Sequence, residues 1–217
     1  MSTDLTDDHS SFDLRVMSFN MHGFNQRLLA LISLISNFEL GIILLQEHWL
    51  TPANLSKFNE LSANYFSFGG SAMSSAVESG PLRGRPFGGL MCLVNNSLRD
   101  ITQTIHCSDR FIILRIANFL IINVYFPCAG TVDRLLICDD LLADIGAWCD
   151  QYYPSCDIIF GGDFNTDLDR TDSVTVSINN FLAKYNLTSG DDLFPAAKTS
   201  TYVNEACLLY TSDAADE

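Results

Sequence analysis

The stretch "IIFGGDFNTDLD", Ile158–Asp169, decides how this chain is read. An apolar run ends in two glycines. Oxygen-bearing side chains then follow at alternate positions: Asp163, Asn165, Asp167 and Asp169. The apolar part has the length and composition of a buried strand. A strand that empties into clustered carboxylates and amides repels itself unless a cation is close by. The expectation is a cation near the end of a buried strand, and the question is which cation and what it does there.

The rest of the chain allows that site one sizeable domain. Its 217 residues are 47% hydrophobic and only 18% charged, which suits a single core and argues against extensive disorder. Residues 1–13, "MSTDLTDDHSSFD", are expected to be a disordered acidic tail. They lack the basic and apolar regions of a signal peptide. The most apolar candidate span, Leu28 to Leu45, is interrupted by Ser33, Ser36, Asn37, Glu39 and Gly41. No membrane association is expected, and the location is read as intracellular, nuclear or cytoplasmic. Cys92, Cys138 and Cys149 lie in apolar segments without a C-x-x-C pair, so they read as reduced and structural. The net charge of −14 has the wrong sign for tight unaided binding to nucleic acid. Seven of the acidic residues lie near the termini: Asp4, Asp7, Asp8, Asp13, Asp213, Asp216 and Glu217.

Strands and helices alternate along the chain. "LRVMSFN" (Leu14–Asn20) reads as a strand. A helix capped by Asn25 runs to Asn37, with Leu28, Leu29, Ile32 and Ile35 as its apolar face. "GIILLQE" is a second buried strand, and Thr51 caps a short helix opened by Pro52. Residues 67–86, rich in Gly, Ser and Pro, read as one long loop. "GGLMCLVN", "ITQTIHC", "RFIILRIAN" and "FLIINVYFP" follow as strands, with a hairpin at Asn118. Asp133–Asp150 reads as a helix with Leu135, Leu136, Leu141, Leu142 and Ile145 as its stripe. "DIIFGGD" is a strand, Ser173–Tyr185 a helix, and "STYVN" opens a last strand. Consecutive strands in the middle point to an α/β sandwich with mixed sheets, and fully apolar strands imply sheets covered on both faces.

Several apolar runs end in a residue suited to metal or phosphate. "VMSFN" ends in Asn20, "IILLQE" in Glu47, "IINVY" in Tyr125, and "IIFGGDFN" in Asp163 and Asn165. Ligand sites concentrate at strand ends in α/β folds. The plainer reading of any one of them is a cap or a turn former. Five together favour a site.

The pieces "MSFNMHGF", "LLQEHW", "NVYFP", "GGDFN" and "TSTYV", in this order, resemble the endonuclease/exonuclease/phosphatase superfamily. "QEHW" and "GRPFGG" are most similar to endonuclease domains of non-LTR (LINE-type) retrotransposons. The resemblance implies a DNase I-like fold, a four-layer α/β sandwich of two mixed sheets flanked by helices, over residues 14–206. It implies that Glu47 binds Mg²⁺, with Mn²⁺ as a substitute, and that Asn20 helps hold the metal and its phosphate. Asp163 would orient and deprotonate the attacking water, and Asn165 would fix that water. Tyr125 would bond the scissile phosphate, and Thr201 would support the site from a neighbouring strand. It further implies DNA as substrate and a reverse transcriptase domain downstream. His22, His48, Arg83 and Arg85 receive no role: a surface loop accounts for His22, Arg83 and Arg85, and His48 is read as packing or facing solvent. The family's closing Asp–His pair has no counterpart after Thr201, and "CLLYTSDAADE" resembles an adapter sequence translated in frame. Residues 207–217 are therefore expected to be a non-native tail on an incomplete, inactive domain that lacks its last strands. Two alternatives stay open: a phosphatase or phosphodiesterase for a small or lipid substrate, and a non-catalytic remnant of a mobile element.

Overall fold

The computed structural model describes residues 14–81, 84–153, 155–190, 202–204 and 207–210, the last two ranges by backbone only. The predicted tail over residues 1–13, Arg83, Thr201 and residues 211–217 lie outside the described residues.

Two four-stranded sheets carry the fold. The first contains β1 (Val16–Asn20), β2 (Ile42–Gln46), β3 (Tyr65–Gly70) and β4 (Leu90–Asn95), in the order β1-β2-β4-β3. The second runs β5 (Thr102–Cys107), β6 (Phe111–Ile116), β7 (Phe119–Tyr125) and β8 (Asp157–Asp163) in sequence order. β9 (Tyr202–Asn204) and β10 (Cys207–Tyr210) form a separate antiparallel pair. β10 falls in the stretch that the sequence assigned to a tail.

Side-chain alternation along the strands builds four layers. Ile42 and Leu44 of β2 point between the sheets, where they meet Cys92 and Val94 of β4 and Ile112, Leu114 and Ile121 of the second sheet. Ile43 and Leu45 point to the opposite face, against Phe24 and Leu31 of α1 (Phe24–Asn37) and against Phe58. The outer face of the second sheet presents Ile113, Leu120, Ile122 and Val124 to α3 (Arg134–Tyr152) and α4 (Ser173–Lys184). A strand buried on both faces reads as an unbroken apolar run, which accounts for "IILL". The expected sandwich of two mixed sheets between helices is the observed architecture.

Local features depart from the sequence reading. α1 is capped by Gly23, with Asn25 already inside the helix. Its buried face runs through Phe24, Leu28, Leu31 and Ile35, whereas Leu29 and Ile32 are exposed. Residues Pro52–Phe58 form a 3₁₀ helix, and the Thr51 hydroxyl accepts from Asn54 Nδ2 without capping a backbone N–H. The supposed loop 67–86 contains the end of β3 and a short helix α2 (Ser74–Glu78). β3 was hidden by Gly69, where an added Cβ would lie 2.7 Å from the Met91 Cα. Glycine there marks a close approach of strands, as it can inside a sheet. In α3, Leu135 and Leu136 face solvent and the core stripe begins at Cys138. The Asn118 hairpin and the buried Cys92, Cys138 and Cys149 are as expected. Burial raises these three thiols, to about 12, 11 and 12, so they remain inert.

Candidate active site

Each sheet contains one parallel pair, and both pairs end at the same place. β1 and β2 run parallel with Asn20 beside Gln46. β7 and β8 run parallel with Tyr125 beside Asp163. The sheets meet along β1 and β8, where Ser18 Oγ donates to Gly162 O over 3.3 Å. The carboxyl ends of four strands therefore converge, although their residues are far apart in the chain.

Asn20 joins the two sheets chemically. Its Nδ2 donates to Glu47 Oε1 at 2.8 Å and to Asp163 Oδ2 at 2.7 Å. Its Oδ1 accepts from the His22 backbone N–H at 2.9 Å. Both carboxylates are nearly buried, at 7% exposure each. The second Glu47 oxygen accepts from Trp49 Nε1 at 3.2 Å, and the other Asp163 oxygen accepts from the Asn165 backbone N–H at 3.0 Å. Asn165 is fixed in turn, its Nδ2 donating to Phe126 O at 2.9 Å. Tyr125 completes the group. Burial pushes its phenol up, with the Glu47 and Asp163 carboxylates adding to the rise, so it stays protonated and able to donate.

The backbone is bent to hold this arrangement. His22, Glu47, Trp49 and Asn165 all have positive φ, between 43° and 54°. Residues other than glycine rarely adopt this region, and they do so where the surroundings impose it, often at functional sites. Gly162 has a φ of 140°, and a Cβ there would lie 2.0 Å from Val124 O. The second glycine of "GGDFN" is thus required for β8 to pair with β7.

"QEHW" and "GRPFGG" prove to be one structural unit. His48 is fully buried. Its Nδ1 accepts from the Leu50 N–H at 2.9 Å, so its Nε2 carries the proton that it donates to Gly70 O at 3.0 Å. Desolvation lowers its pKa to about 4, and it is neutral at physiological pH. An added Cβ at Gly89 would lie 2.4 Å from the His48 ring, and the Trp49 N–H donates to Gly88 O at 2.9 Å. His48 therefore packs inside the molecule, joining Glu47's strand to the loop in front of it. His22 belongs to the site after all, with its Nδ1 3.8 Å from Glu47 Oε2 and its ring 4.8 Å from that of Trp49.

Beneath the carboxylates lies a polar network that the sequence reading missed. Gln46 Nε2 donates to Asn123 Oδ1 at 2.7 Å, and Asn123 Nδ2 donates to Leu45 O and Met91 O. A lone Asn within "IINVY" was the available signal. Arg134 was missed too. It opens α3, the unfavourable end of a helix for a cation. There it donates through Nε to Pro127 O and through a second nitrogen to Asn165 O. That placement against the dipole marks a residue serving loop carbonyls.

Over this floor lies a cleft of about 700 Å³, lined among others by Glu47, Trp49, Tyr125, Arg85, Phe87 and Arg110. Arg110 lies over the Tyr125 ring at 5.4 Å. No group of three or more His, Cys, Asp or Glu side chains forms a metal cage among the described residues. The donor set still fits a hard divalent ion with few protein ligands. Two nearly buried carboxylates share a single amide donor, and the buried Asn165 Oδ1 has no hydrogen-bond partner. Mg²⁺ binds in this way, through one or two carboxylates plus water and phosphate.

The sequence profile of the Endonuclease/Exonuclease/phosphatase family matches residues 17–209. The chain belongs to this family. Solved structures agree on the fold. An AP endonuclease from Leishmania major superposes with a TM-score of 0.69 at 14% identity, over 94% of this chain and 80% of that one. An AP endonuclease from Archaeoglobus fulgidus gives 0.64 at 14% identity, over 93% and 85%. A 3'-5' exonuclease from Neisseria meningitidis gives 0.61 at 15% identity, over 87% and 78%. A search of curated proteins finds no match. No helix among the described residues is long and apolar enough to cross a membrane.

Proposed function

We propose that this domain hydrolyses phosphodiester bonds in DNA with the help of Mg²⁺, acting as a nicking endonuclease of a retrotransposon-type protein. One observation carries the reading. Glu47 and Asp163, from different sheets, are tied through one Asn20 amide beside a protonated Tyr125. Matches to AP endonucleases and an exonuclease support a DNA substrate. The "QEHW" and "GRPFGG" pieces support the retrotransposon context and, with it, a reverse transcriptase domain elsewhere in the protein.

A divalent cation at Glu47, when bound, supplies Lewis-acid polarisation of the phosphoryl group. The chain's own residues do the rest. Asp163 orients a water and accepts its proton as the water oxygen bonds to phosphorus. Asn165 positions Asp163 through its backbone N–H. Tyr125 donates a hydrogen bond to a phosphoryl oxygen, and Asn20 keeps the two carboxylates in register. The bond from phosphorus to the leaving oxygen breaks, and that oxygen takes up a proton from solvent, leaving a 3′ hydroxyl and a 5′ phosphate.

The test is nicking of supercoiled plasmid with Mg²⁺ by this domain extended to carry the Asp–His pair that the resemblance implies. Cleavage should vanish with EDTA and with Asp163→Ala; cleavage that persists in both sinks the reading. A phosphatase or phosphodiesterase acting on small or lipid substrates is the second reading, favoured by the net charge of −14. Turnover of inositol phosphates with no nicking would select it.

A further inference from the structure

The cleft lining has a feature that hydrolysis does not use. Phe87 lines the cleft together with Glu47, and yet it is 54% exposed. No aromatic ring or cation stacks on it among the described residues. Of the two other rings lining the cleft, Trp49 has its indole N–H committed to Glu47 and Tyr125 lies under the Arg110 guanidinium. Phe87 is not on a slack loop, because Gly88 is hydrogen-bonded to Trp49 and Gly89 is pressed against the His48 ring. A large ring exposed to water beside a reactive centre presents apolar surface, and covering it with a flat apolar partner is favourable.

The charges around it select that partner. Among the described residues, the cleft lining sets two guanidiniums, Arg85 and Arg110, against the carboxylates of Glu47 and Asp109, on a strongly acidic chain. Recognition of a duplex by phosphate neutralisation needs a broader basic surface. Sequence-tolerant binding of single strands needs less, since each base has a face that can stack on an aromatic ring. Resting on the hydrolytic reading above, we infer that Phe87 stacks on an unpaired base beside the scissile phosphate, while Arg85 and Arg110 hold neighbouring phosphates. The preferred substrate is a strand that is single or locally unpaired at the cleavage point.

Fluorescence anisotropy with short labelled oligonucleotides, in Ca²⁺ buffer, tests this without requiring cleavage. The wild-type protein should bind the single strand more tightly than the same sequence as a duplex. Phe87→Leu keeps apolar bulk but removes the ring, and it should weaken strand binding about tenfold. Phe87→Trp should restore it. The logarithm of affinity should fall with the logarithm of salt with a slope of about −1.4, as two phosphate contacts on a single strand require. Wild-type affinity in Phe87→Leu, tighter binding of the duplex, no strand binding by the wild-type protein, or a slope several times steeper each overturns the inference. Ring-dependent strand binding with no Mg²⁺-dependent cleavage of either plasmid or the single strand would instead remove the hydrolytic reading and leave the stacking site standing.

Discussion

The floor and the rim of the cleft are built by opposite means. The floor is closed: Glu47 and Asp163 are nearly buried, each of their four oxygens accepts a hydrogen bond, and left-handed residues bend the strand ends inward. The rim is open: Arg85 and Phe87 stand exposed on a connection whose rigidity comes from Gly88 and Gly89 behind them. Chemistry needs groups fixed before substrate arrives, because any freedom left in them is lost again at each turnover. Recognition of a variable strand tolerates surface side chains. His48 links the two, since the same ring holds Leu50 behind Glu47 and presses on Gly89 behind Phe87.

The floor should break first and furthest. Asp163→Asn keeps the size of the side chain but removes the proton acceptor. Plasmid nicking should slow by about 10² to 10⁴, the usual worth of a general base, with strand affinity changed far less. Equal losses in both would mean that floor and rim are not separable.

The link should fail next, and by pH. The folded-state pKa of His48 lies at about 4, below the ordinary 6.5. Between those values the unfolded chain binds the proton and the folded one does not, so stability falls as pH drops from 6.5 towards 4. The full loss is on the order of 3 kcal/mol, the free-energy equivalent of that difference in proton affinity. Chemical denaturation across that window measures it. His48→Gln should flatten the dependence, and an unchanged slope would show that other groups dominate.

Gly89→Ala tests the same contact sterically. A Cβ placed 2.4 Å from the His48 ring, at a φ of 93°, should cost about 1–3 kcal/mol, read as a lower melting temperature. A melting temperature equal to the wild type would mean that the ring moves aside freely.

The floor was more legible in the sequence than the link. Asn20, Glu47, Tyr125, Asp163 and Asn165 each end or follow an apolar run, and a polar residue leaving a buried strand is conspicuous in one dimension. Residues that act through shape left no such trace. His48 could be read as packed or as facing solvent, because its partners, Gly70 and Gly89, are distant in sequence and carry no side chain. The end of β3 looked like a loop for a related reason, its Gly69 being required by the approach of β4. Helix faces were misjudged where apolar residues crowd all round the helix. In α1, Leu29 and Ile32 have the hydrophobicity of core residues, but only neighbouring layers decide which side is covered.

The smallest expected effect comes from a region remote from floor and rim alike. At the far end of α3, the Tyr185 hydroxyl shares its one proton between Gly146 O at 2.9 Å and Asp150 Oδ1 at 2.7 Å and accepts from Lys184 Nζ at 2.8 Å. The phenol joins α4 to α3 across the outer face of the second sheet. Tyr185→Phe keeps the ring against Phe181 and Tyr153 and removes only these bonds. The loss should be about 1 kcal/mol, since Gly146 O still has its helical partner and the two charged groups remain in water. Nicking rate should not change, because the strand ends are held by the β1–β8 junction and the Asn20 amide, none of which α4 contacts through this tyrosine. A melting temperature lowered by a few degrees with full activity would show that the floor is insulated from its supporting helices. A parallel loss of activity would show that the helix layer, and not the strand junction alone, sets the distance between Glu47 and Asp163.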